Sequence, residues 1–120
     1  MRDQTFVNHR VAITVVKVAC YADLSERYAQ KRPGAERGTA IPCNFFREGM
    51  RFEVQMDPFG NCKPEGFCDW AWADIWKDVL LVCDRAGFCL DQAEIDALPP
   101  HFACCTYGLR PVTFMLQALE

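Results

Sequence analysis

The sequence lacks three features that would point to large classes of protein. It has no block of like charge and a net charge of -3, so it offers a nucleic-acid backbone no basic patch. No apolar run approaches the ~20 residues that a membrane-spanning helix needs. The first ten residues are polar and lack the apolar segment of a secretory signal. We therefore expect a cytoplasmic protein with neither nucleic acid nor a membrane as its partner.

Cysteine is abundant, yet the short motifs that usually explain it are missing. Eight cysteines in 120 residues include no C-x2-C pair, and the two histidines complete no C-x2-C…H-x3-H pattern. Because an export signal is also missing, we expect reduced thiols rather than a disulfide framework. The composition is that of an ordinary globular protein. We expect one domain over 1–120, with a flexible arm at 1–10 and a loop at 32–42.

The hydrophobic pattern predicts an α+β fold. Strands are expected at 11–20 and 50–57, a long helix at 69–87, and a hairpin formed by 101–107 and 111–118. This β-β-α-β-β order predicts a small antiparallel sheet packed on one principal helix. The near-continuous apolar run at 11–20 favours a central strand that is buried on both faces. Short helices are expected at 21–31 and after Asp91, which has capping-box spacing to Glu94.

The long helix has a predicted apolar stripe and predicted ends. Asp69 is a suitable N-cap residue, and Gly87 is suitable for the position after the last turn. Cys68 then lies at the positive end of the helix dipole, which favours a thiolate. The stripe consists of Trp72, Trp76, Val79, Cys83 and Ala86, widened by Ile75, Leu80 and Val82. One helix covers one face of a sheet, so the other face needs the 21–49 segment or a second chain. A homo-oligomer is therefore expected.

Three hypotheses for function follow from these residues. In the first, thiolates of Cys43, Cys68 and Cys105 bind zinc or an iron–sulfur cluster, with Cys62 as an alternative to Cys43. Cys104 and Cys105 are neighbours in a strand, so one faces the core and the other the opposite side. His101, Asp69 or a further cysteine would complete a four-ligand set.

The second hypothesis is an enzyme with Cys68 as its nucleophile. Arg110 would stabilise an anionic group of a small substrate, and Asp74 would be a ligand or an acid–base group. The third hypothesis is a non-catalytic interaction subunit that uses Trp70 and the open face of the sheet. Trp70 lies about 160° from Trp72 around the helix, on the same side as Asp74. It is therefore expected to line a pocket or to contact another subunit.

Two long motifs resemble a small family of short bacterial and archaeal proteins without a settled activity. The motifs are PEGFCDWAWADIWKDVL and CCTYGLRPVTF, and CNFFREG fits a third segment of that family. The resemblance covers roughly Val11 to Leu116. It implies site roles for Trp70 and Thr106, taken here as cofactor-binding residues, and for nine further residues. Tyr107 stands where the family usually has aspartate. The other residues are Cys43, Glu48, Cys68, Trp72, Asp74, Cys105, Gly108, Arg110 and Pro111.

Overall fold

A computed structural model describes residues 9–28, 43–55, 63–106 and 108–120. The strands are β1 (Arg10–Val18), β2 (Arg51–Gln55), β3 (His101–Cys104) and β4 (Val112–Ala118). The helices are α1 (Ala22–Tyr28), α2 (Asp69–Gly87) and α3 (Gln92–Asp96). The strands form one antiparallel sheet in the order β2-β1-β4-β3, and α2 packs on it. The predicted α+β fold is confirmed. Within the described ranges, no helix is both long and apolar enough to span a bilayer.

β1 is the central strand, as predicted, but its boundaries and burial differ from the prediction. It ends at Val18 rather than at residue 20, and its register against β4 shifts between Val15 and Lys17. Val16 is the extra residue at this irregularity and is exposed, so burial on both faces was a wrong prediction for this half of the strand. The flexible arm is also wrong at its end, because His9 is buried and Arg10 begins β1. Residues 1–8 and the predicted loop at 32–42 lie outside the described ranges.

The core lies between α2 and one face of the sheet. Phe46, Phe67 and Phe114 form its aromatic centre, with ring centroids 5.0 to 5.5 Å apart. Because Phe46 packs on the same side as α2, the described residues 43–50 fill that side rather than covering the opposite face. On the opposite face Phe102 is 56% exposed and Glu53 is exposed.

The buried side of α2 is displaced from the predicted stripe. Trp72 is half-buried and Trp76 is exposed, whereas Ala71, outside the predicted set, is buried. The helix packs on the sheet along a line through Ala71, Ile75 and Val79, which leaves the bulky indole of Trp76 at the margin of the contact. The residues of α2 that are buried are Ala71, Ile75, Val79, Val82, Cys83, Ala86 and Gly87.

The residues predicted to cap α2 lie inside the helix instead. Cys68 is the N-cap residue, with extended backbone angles and a side chain that makes no capping hydrogen bond. Asp69 is already helical and pairs with Lys63. Gly87 is the last helical residue, and Phe88 is the C-cap residue in right-handed helical geometry. Cys68 therefore lies at the boundary between the preceding loop and α2.

Two glycines of the family-like motifs have positive φ angles that explain their presence. Gly66 has φ 77° in a turn that is closed by a hydrogen bond from Phe67 N to Pro64 O (3.1 Å), and this turn delivers Phe67 to the core. Gly49 has φ 91°, and its amide donates to the carbonyl of Val15 at 2.8 Å, just before the irregularity of β1. Both motifs thus contain backbone positions that a side chain would strain.

Candidate functional site

Three residues named from the sequence meet where the N-terminal part of α2 contacts the connection after β3. The indole Nε1 of Trp70 donates to Thr106 Oγ1 at 3.1 Å. The backbone amide and the hydroxyl of Thr106 both donate to Asp74 Oδ2, at 2.7 and 3.0 Å. We call Trp70, Asp74 and Thr106 the threonine clamp. One carboxylate oxygen thus fixes both the backbone and the side chain of Thr106.

A second carboxylate extends this contact along α2. Asp78 Oδ1 lies 3.0 Å from His101 Nε2 at the start of β3. Residues four apart share one side of a helix, so Asp74 and Asp78 contact opposite ends of the β3 segment. His101, which was expected as one candidate for the fourth metal ligand, contacts Asp78 here. The two aspartates therefore hold β3 against the helix.

The two adjacent cysteines face opposite ways, as strand geometry predicts. Cys105 is half-buried and packs against the core, and its sulfur accepts a hydrogen bond from Val112 N at 3.3 Å. Cys104 is exposed, and its thiol donates to the carbonyl of Cys105 at 3.1 Å. Of the pair, Cys105 is therefore the one on the side of α2.

The environment of Cys104 disfavours its thiolate. Partial desolvation raises the pKa of the Cys104 thiol above its ordinary value, and negative charge at Cys105 and Asp74 adds to that rise. A hydrogen bond with the Thr113 side chain opposes the rise in pKa but does not cancel it. Exposure alone therefore does not make this thiol reactive.

The three predicted thiolate ligands share a neighbourhood but not a ligand set. Cys43, Cys68 and Cys105 are half-buried, and all three pack against the main core. Within residues 9–28, 43–55, 63–106 and 108–120, no group of three or more His, Cys, Asp or Glu side chains is arranged to hold a metal ion. The described residues thus do not fit zinc or an iron–sulfur cluster. Cys62 lies outside them.

Two groups expected near Cys68 are bound to other residues. Asp74 accepts both hydrogen bonds from Thr106. His101 contacts Asp78, whose position is about 15 Å along the helix axis from Cys68 at 1.5 Å per residue. Arg110 is half-buried in the turn before β4. Tyr107 lies outside the described residues.

Two side chains that make polar contacts, Asp78 and His9, were not predicted as site residues from the sequence. Asp78 could have been found, because it repeats Asp74 at the next turn of the same helix side. His9 is buried and bonded to the carbonyl of Glu120 at 2.8 Å, but it was assigned to the flexible arm. A polar decapeptide gives no local signal for such a long-range contact.

Glu48, in the CNFFREG motif, has a backbone contact. Its carboxylate accepts a hydrogen bond from Val18 N at 3.3 Å, where β1 ends. Together with Gly49, it supports the irregular half of the central strand. Glu48 and Gly49 of the CNFFREG segment therefore have structural roles.

Comparisons with protein-family models, with curated proteins and with solved structures give no match for this chain. The resemblance drawn from its motifs stays a prediction. The geometry of the described residues is therefore what any proposal for function must rest on.

Proposed function

We propose that the protein is a non-catalytic interaction subunit that associates with a second copy of itself through strand β3. One observation supports this proposal: β3 is an uncharged edge strand with an exposed aromatic side chain on each side. Trp70 is 58% exposed beside the end of β3, and Phe102 is 56% exposed on the face away from α2.

The two edges of the sheet differ in how they are protected. β2, at one edge, carries Arg51 and Glu53, which pair with each other, and Glu53 also pairs with Arg10. Charged side chains at an edge oppose pairing with another strand. β3, at the other edge, has the sequence HFAC and carries no aspartate, glutamate, lysine or arginine. Its outer backbone groups are therefore the better template for an added strand.

Trp70 is suited to the centre of such a contact because its orientation is fixed before binding. The clamp holds its indole N–H on Thr106, and Thr106 is held twice by Asp74. A preformed aromatic side chain loses little conformational entropy on association. Tryptophan is also among the residues that contribute most to protein interfaces. Antiparallel pairing of two β3 strands across a two-fold axis would use the same surface on both copies.

Light scattering coupled to size-exclusion chromatography tests the proposal. We expect a mass of twice 13.7 kDa for the wild type. Trp70→Glu and Phe102→Lys should each shift the protein to the monomer, because each places a charge at the contact. Phe88→Glu, at a more exposed aromatic residue at the other end of α2, and Gln55→Lys, on the β2 edge, should leave the dimer unchanged. A wild type that stays monomeric at millimolar concentration contradicts the proposal.

The thiol hypotheses stay predictions with their own measurements. Metal analysis of anaerobically purified protein tests the thiolate site of Cys43, Cys68 and Cys105; no stoichiometric zinc or iron would end it. Alkylation kinetics test Cys68 as a nucleophile, which requires a rate above that of a model thiol. A cytoplasmic location is likewise a prediction from the sequence.

A further inference from the structure

We infer that two β3 strands pair in the register centred on Ala103, so that Phe102 of each copy lies opposite Cys104 of the other. This register, which rests on the proposed β3 dimer, is set by three features of the edge strand. They are the backbone groups that point outward, the pleat of the sheet, and the residues that flank the strand.

The backbone groups of Phe102 and Cys104 point away from β4. Cys105 N donates to the carbonyl of Val112 at 3.1 Å, in the same register as the β3–β4 pair. In an antiparallel ladder, opposite residues that exchange hydrogen bonds alternate with opposite residues that do not. Cys105 and Ala103 therefore bond to β4, and the N–H and C=O groups of Phe102 and Cys104 face the edge. No strand of the described ranges lies beyond β3.

The pleat of the sheet allows only registers in which a residue position lies on the symmetry axis. Side chains that lie directly opposite each other in an antiparallel pair share one face of the sheet. Phe102 and Cys104 are exposed on the face away from α2, whereas Ala103 packs against the core. A two-fold axis perpendicular to the sheet keeps both copies of α2 on one side, so opposite residues must have the same orientation. Within β3 the axis therefore passes through Phe102, Ala103 or Cys104.

The axis through Ala103 is the one that pairs every outward group of β3. The N–H and C=O groups of Phe102 then bond to those of Cys104 in the partner subunit, and the symmetric pair does the same. An axis through Phe102 would set Cys104 opposite Pro100, which has no N–H for the Cys104 carbonyl. An axis through Cys104 would set Phe102 opposite Thr106, whose N–H already donates to a carboxylate of α2 at 2.7 Å.

The same register brings compatible side chains together. Ala103 faces its own copy in a non-hydrogen-bonded pair, where Cα atoms are about 4.5 Å apart and a small side chain suits the close approach. On the other face, the ring of Phe102 lies beside the sulfur of the partner's Cys104, a favourable contact for sulfur. The two Cys104 Cα atoms would be about 8 Å apart from the strand spacings, which is too far for a disulfide. The dimer is therefore held without a disulfide.

Disulfide trapping with diamide tests the register. In the Cys104→Ser background, Ala103→Cys should give a covalent dimer that is linked through position 103, as identified by mass spectrometry of unreduced peptides. Light scattering of the reduced variant should first give a mass of twice 13.7 kDa. Wild-type protein treated in the same way is the matched control and should form no link between two Cys104 side chains.

Phe102→Cys, with Cys104 retained, is a second variant that leaves the core-facing side of β3 unchanged. Its added thiol should link to Cys104 of the partner subunit and give a covalent dimer on a nonreducing gel. A wild-type link between two Cys104 side chains, or a dimer in which neither variant cross-links, overturns the register and leaves the proposed dimer standing. A wild type that stays monomeric at millimolar concentration overturns both, and the mass from light scattering tells these results apart.

Discussion

The two ends of α2 bear different kinds of surface. At the N-terminal end the polar groups satisfy one another, since Asp74 accepts both hydrogens of Thr106 and Thr106 holds Trp70. At the C-terminal end a buried nitrogen of His9 is left without a described partner beside a cleft. The two ends of α2 therefore differ in how completely their polar groups are satisfied among the described residues.

The largest contrast between the ends should appear in their phenylalanines. Phe67, just before α2, is buried against Phe46 and Phe114, whereas Phe88, just after it, is 81% exposed. Phe67→Ala should lower the free energy of unfolding by about 3–5 kcal/mol, because it leaves a cavity in the core. Phe88→Ala should change it by about 0.5 kcal/mol or less. Urea unfolding of both variants measures the difference; similar losses would mean that the ends are packed alike.

A smaller contrast is expected between the carboxylates of the two ends. Asp74→Ala leaves two donors of Thr106 without their acceptor and should cost about 1–3 kcal/mol of stability. Asp91→Ala removes the cap of a five-residue helix and should cost about 1 kcal/mol. Asp74→Asn, which keeps an acceptor oxygen, should lie between the wild type and Asp74→Ala. Thermal unfolding monitored by circular dichroism ranks the three variants. A loss for Asp91→Ala above that for Asp74→Ala would reverse the comparison.

The smallest effect should be seen at the thiol beside the clamp. Burial raises the pKa of Cys104, so the folded state retains the thiol proton where the unfolded state releases it. The stability that this group contributes is therefore present below the unfolded thiol value of ~8.5 and is lost as the pH rises through the folded value. Alkylation of Cys104 by iodoacetamide at pH 8 should be slower in the folded protein than in urea, as read by mass spectrometry. Cys104→Ser is the control, and equal rates would contradict the prediction.

The sequence sufficed for features set by local patterns. The strand predicted at 50–57 is present as β2 over Arg51–Gln55, and its side chains alternate between exposed and inward-facing. The long helix was predicted from its periodicity, but the residues that pack on the sheet include Ala71 and leave Trp76 exposed, which depends on tertiary packing. Asp69 was predicted as the N-cap residue, but Cys68 occupies that position and its side chain makes no capping hydrogen bond.

Contacts distant in sequence could not be predicted. Nothing near His9 signals that Glu120 lies beside it, since 111 residues separate them. Trp70, Asp74 and Thr106 were selected individually, but their mutual hydrogen bonds depend on how the hairpin docks on α2. The three cysteines were grouped by their chemistry; each of them packs against the core, and their joint role as ligands stays a prediction.

The aspartates on α2 also fix the alignment of the edge strand. If β3 slipped by one residue along β4, Phe102 would turn inward, and neither His101 nor Thr106 would meet its carboxylate. Asp74 and Asp78 thus favour one register of β3 against β4. A strand from another molecule that paired with β3 would therefore meet an edge strand whose register is already fixed.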